Sequence, residues 1–103
     1  MSIFIPMQPE NVEKILSGTK TSTVRSASAA QQIGLKKGQQ DYTTWGGKRF
    51  LVTCEGEQTI DEAGGYESVW KSEGFGPSGP LFAQTRTWLN GTGKLWVYRF
   101  KPA

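Results

Sequence analysis

The sequence predicts an α+β domain built around a small, partly closed barrel. Three observations lead there: short β-branched and apolar runs early in the chain, short helices inserted between strands, and a long alternating segment that closes it. At 103 residues the chain is one domain's worth, read as a single domain over 1–103, with no internal repeat or linker.

Residues 2–6 form a short apolar run suited to a first strand. In the stretch 8–18, Pro9 fits the first helical position, Val12, Ile15 and Leu16 fall on one face, and Gly18 fits the position just past the end. Residues 21–25 are rich in β-branched side chains and read as a strand leaving that helix. The polar, alanine-rich stretch 26–38 reads as a loop with room for one helical turn. Residues 42–45 and 49–56 read as strands joined by a turn at Gly46-Gly47. Residues 59–65 leave the sheet, 66–72 and 81–89 read as short helices, and 94–101 as a central strand with Trp96, Tyr98 and Phe100 on its core side.

Composition excludes several kinds of chemistry. Histidine is absent and Cys54 is the single cysteine, so a disulfide framework, a His/Cys zinc site and a histidine-based triad are all ruled out within one chain. A proton moved near neutral pH must pass through a carboxylate, a lysine, a tyrosine or water. Net charge is +3, unevenly spread: residues 1–49 carry seven basic and three acidic groups, 50–83 one and six, 84–103 four and none. No run of about 18 apolar residues is present. A soluble protein without membrane contact is expected, and the lone cysteine favours a reducing cytoplasm.

Some motifs match a pattern and fail on context. The segment Gly74-Phe75-Gly76-Pro77-Ser78-Gly79 has dinucleotide-loop spacing, but Pro77 sits inside it and no βαβ unit surrounds it. Gly18-Thr19-Lys20-Thr21 echoes the end of a phosphate-binding loop, yet here the order is helix, turn, strand. Trp45, Trp70, Trp88 and Trp96 read first as core packing.

What remains is Gly18-Thr19-Lys20-Thr21-Ser22-Thr23-Val24-Arg25, the carboxylate of Glu73-Gly74-Phe75, and the aromatic final strand. Together with the helix ending at Gly18 and a glycine turn near Gly38, this pattern resembles the ASCH domain family over nearly the full length. The resemblance implies a PUA-like β-barrel with short helices packed around a cleft. Chain size is similar to that of the small bacterial members that hydrolyse N4-acetylcytidine to cytidine and acetate. It further implies Lys20, Thr23 and Glu73 as catalytic residues, Arg25, Thr21 and Phe75 as substrate-binding residues, a small nucleoside as substrate, and neither cofactor nor metal. Two positions depart from the family's habit: Ser26 stands where an aspartate is common after the arginine, and Gly38-Gln39 where Gly-Asp is usual.

Amide hydrolysis needs a nucleophile, a base, an oxyanion stabiliser and an acid for the departing nitrogen. In one version a neutral Lys20, its pKa brought down from ~10.4 by desolvation or by Arg25, deprotonates Thr23, while Glu73 protonates the leaving nitrogen. In the other, Glu73 activates water and a charged Lys20 holds the oxyanion. Strand alternation sends Thr21, Thr23 and Arg25 to one face, so Lys20 is expected in the turn after Gly18, outside the regular strand. A non-catalytic RNA-binding module is the alternative that the basic ends of the chain invite.

Overall fold

The computed structural model describes residues 3–59, 61–65, 69, 71 and 94–103. Among the described residues it is an α+β arrangement with two complete helices and a four-stranded antiparallel sheet: α1 (Pro9–Leu16), β1 (Ser22–Arg25), α2 (Ala27–Ile33), β2 (Gln40–Trp45), β3 (Lys48–Gln58) and β4 (Leu95–Pro102). The strand order is β1-β4-β3-β2, so the closing strand lies centrally, as its alternation predicts. Among the described residues the sheet is open, with β1 and β2 as its edges. No helix of the described residues is long and apolar enough to cross a membrane.

The alternation of β4 divides the core. Tyr98 and Phe100 join Phe50, Val52 and Cys54 of β3, with Ile15 of α1 and Ala30 and Ile33 of α2 packed over them. Leu95 and Val97 face the other way and meet Val24, Ala63 and Val69. Trp45 anchors the first cluster. Its ring packs against Phe50 and edge-on against Phe100, and its buried indole N–H donates to the Ile5 carbonyl at 3.0 Å.

Two sequence expectations are corrected. Residues 3–8 form no strand. One ladder-like bond, from Ile3 N–H to the Tyr42 carbonyl, is made, after which the Ile5 and Pro6 carbonyls turn to Trp45 and Arg25 side chains instead of a neighbouring strand. The stretch read as a loop contains α2, which is two turns long. Ser26 Oγ caps it by accepting from Ala29 N–H, and Gly34 ends it in the left-handed conformation. The alanine-rich run has only Ala30 and Ile33 buried, too narrow a stripe to stand out as an amphipathic period.

The Gly46-Gly47 hairpin is present, and both glycines have positive φ, as a tight two-residue turn requires. Residues 65, 69 and 71 are helical, consistent with the short helix expected over 66–72. Most of that segment, and the helix expected over 81–89, lie outside the described residues.

Candidate active site

The site begins at the end of α1. Gly18 N–H donates to the Ile15 carbonyl, and Lys20 N–H reaches back to the Lys14 carbonyl at 3.0 Å. Ser17 Oγ adds a bond to the same carbonyl at 3.1 Å. These contacts hold Lys20 in the turn, two residues before β1 starts at Ser22. Its position outside the strand is the one expected. The Lys20 side chain is only 2% exposed. That is unusual for a lysine.

Strand β1 then fixes the next three residues by register. Thr23 lies opposite Tyr98 and Arg25 opposite Trp96 on β4, and Tyr98 and Trp96 in turn lie opposite Cys54 and Glu57 on β3. Thr23 and Arg25 therefore share the sheet face that α1 and α2 cover. The Arg25 guanidinium donates from Nη1 to Thr23 Oγ1 and to the Val24 carbonyl at 2.9 Å, and from Nη2 to the Pro6 carbonyl at 2.9 Å. With one Thr23 lone pair taken by a cation, the hydroxyl proton is polarised and directed to another acceptor. Thr23 itself is fully buried.

Of the six residues expected here, the structure joins Thr23 and Arg25 directly and puts buried Lys20 at the mouth of the same strand. Thr21 is exposed, and its carbonyl accepts from Phe100 N–H. Glu73 and Phe75 lie outside the described residues. Ser26 and Gln39 both have local employment. Ser26 caps α2, and Gln39 Oε1 accepts from Lys36 N–H at 2.9 Å while Gln39 N–H donates to the Lys36 carbonyl, closing the turn that leads into β2.

Sequence reasoning missed two features. The alternation of β4 marks Tyr98 only as a core aromatic. Its hydroxyl is buried beside the row that holds Thr23 and makes no hydrogen bond among the described residues. The Cys54 thiol is close enough to interact with it but is a weak acceptor. Burial, then the nearby thiol, push the Tyr98 pKa up to about 12, against an opposing pull from Arg25. The signal was available: a tyrosine between Trp96 and Phe100 carries a polar atom into an apolar face. The second feature is an open cleft of about 570 Å³ between α2, the loop after it and the sheet. Leu35 and half-buried Trp96 form its floor, and Gln31, Lys36, Lys37 and Glu57 its rim. Trp96 and Glu57 belong to the Arg25 row, one step along the strands from Thr23.

No protein-family model matches the chain, and no curated protein or solved structure matches it.

Proposed function

We propose that the protein is an amidohydrolase that removes the acyl group from N4-acetylcytidine or a related N4-acylated cytosine nucleoside, built on a PUA-like barrel of the ASCH kind. The observation that carries this reading is the burial of Lys20 in the turn before β1, followed by a buried Thr23 whose oxygen accepts from Arg25. In this reading the buried Lys20 amine is the general base, the role a lysine takes in a site without histidine. In this reading Lys20 takes the Thr23 proton, Thr23 Oγ1 attacks the acyl carbon, Arg25 steadies the developing charge, and Glu73 protonates the departing N4. Water then releases the acyl-threonine ester. A nucleoside-sized cleft one row away supplies a place for the base.

Loss of the N4-acetylcytidine absorbance band on incubation with the protein tests the reading directly. Lys20→Ala and Thr23→Ala are expected to lower the rate by 100-fold or more. Thr23→Ser should retain measurable turnover and trap an acyl-enzyme. Unchanged absorbance with the wild-type protein, or full activity in Lys20→Ala, ends the proposal.

One observation favours RNA binding as a second reading. On the opposite sheet face the Arg49 guanidinium lies 4.0 Å from the centre of the exposed Tyr42 ring, with Arg99 and Lys101 exposed on the adjacent strand. Such a surface predicts RNA affinity that falls steeply with salt and with charge reversal at Lys94, Arg99 or Lys101, and that is indifferent to Lys20.

A further inference from the structure

The cleft beside Trp96 carries more chemistry than a free nucleoside needs. Its apolar floor offers the indole as a stacking surface, and Gln31 and Glu57 offer hydrogen-bonding groups to a base edge or a sugar hydroxyl. On the same rim stand two adjacent cations, Lys36 and Lys37. The loop bearing them is tied down on both sides: Lys36 N–H and carbonyl both bond to Gln39, and Gly38 N–H donates to the Cys54 carbonyl at 2.8 Å.

Lys37 is also placed by its stem. A β-bulge interrupts the pairing of β3 with β4 between Cys54 and Gly56, and Gly56 has φ +84°. A Cβ added to Gly56 would come within 2.8 to 2.9 Å of Lys37 Cβ, Cγ and Cδ. The lysine stem therefore lies flat against the bare backbone of the bulge, which restricts the freedom such a side chain ordinarily keeps. Glu57 is the acidic group on the rim, and Glu62 is within electrostatic reach of Lys37 and Lys94. Among the described residues the cleft lining carries two ammonium groups, Lys36 and Lys37, against one carboxylate, Glu57.

We infer that this cleft is a nucleotide site in which Trp96 stacks on the base and the Lys36–Lys37 pair takes a phosphate. This rests on the amidohydrolase reading for the reaction and narrows its substrate to a phosphorylated acylcytidine. Rows of side chains along a strand are about 7 Å apart, and Trp96 in the cleft stands one row from Thr23.

Calorimetric titration with cytidine, cytidine 5′-monophosphate and a short oligocytidylate tests the site without turnover. The monophosphate is expected to bind at least tenfold more tightly than cytidine. That preference should disappear in Lys36→Gln/Lys37→Gln, which keeps both stems, and shrink in Gly56→Ala, which displaces the Lys37 stem. Tighter binding of the oligomer than of the monophosphate assigns the phosphate to a chain diester, and the reverse order assigns it to a terminal monoester. Equal affinity for cytidine and its monophosphate, or an unaltered preference in the double variant, overturns the inference. The two proposals fail separately. Hydrolysis of N4-acetylcytidine with no phosphate preference removes the nucleotide site alone, whereas lysine-dependent phosphate binding without turnover of any acetylated substrate removes the hydrolase alone.

Discussion

Tyr98 is the residue whose behaviour most directly reports the interior around Thr23. Its pKa of about 12 lies above the ordinary value of 10.0. Between those pH values the unfolded chain has lost a proton that the native state keeps, so its contribution to stability is complete below pH 10 and is lost as pH rises toward 12. The full loss is roughly 2 to 3 kcal/mol. Urea unfolding at pH 8 and pH 11 should show a larger alkaline drop for wild type than for Tyr98→Phe. At pH 8 the same variant should match or exceed wild type by up to about 1 kcal/mol, because the hydroxyl it removes is buried and makes no hydrogen bond among the described residues. A fall in kcat in Tyr98→Phe with folding intact would instead place that hydroxyl against the reacting atoms. The neighbouring Cys54 thiol is buried, and burial raises its pKa. Thiol reagents should label it only as fast as the protein unfolds, and a rapid reaction in native buffer would contradict this packing.

At the scale of elements, the β2–β3 hairpin and α2 are held by single residues. Gly46 has φ +57°, and a Cβ there would lie 2.9 Å from Leu16 Cδ1 and 3.1 Å from Val12 Cγ1. Gly46→Ala combines left-handed strain with displacement of the α1 side chains, and should lower stability by about 1 to 2 kcal/mol in chemical denaturation. A shift within error would mean that the turn relaxes freely. Ser26→Ala removes the α2 cap, for an expected loss of about 1 kcal/mol. Since α2 walls the cleft proposed to take a nucleotide, that variant should also weaken cytidine monophosphate binding more than it weakens folding of the sheet. Both elements show how far local signals reach. Gly46-Gly47 between two β-branched runs was readable as a hairpin. Ser26 and Gly34 were readable as punctuation, but with few apolar residues between them nothing marked the stretch as helix.

For the whole molecule, β4 is the shared wall of both clusters, Tyr98 and Phe100 on one side and Leu95 and Val97 on the other. Neither core can come apart alone, so tryptophan fluorescence and far-ultraviolet circular dichroism should follow one coincident unfolding transition, and separated midpoints would refute this coupling. The sequence by itself determined what depends on near neighbours: helix α1 between Pro9 and Gly18, the turn that keeps Lys20 out of the strand, the alternating faces of β4, and the absence of histidine chemistry. Only the tertiary structure decided the order β1-β4-β3-β2, the burial of Lys20, and the rows that set Arg25 beside Trp96 and Glu57 and Thr23 beside Tyr98 and Cys54. Those partners are separated by long stretches of chain. Their meeting is fixed by strand register and by which apolar faces bury one another, quantities that no local periodicity encodes.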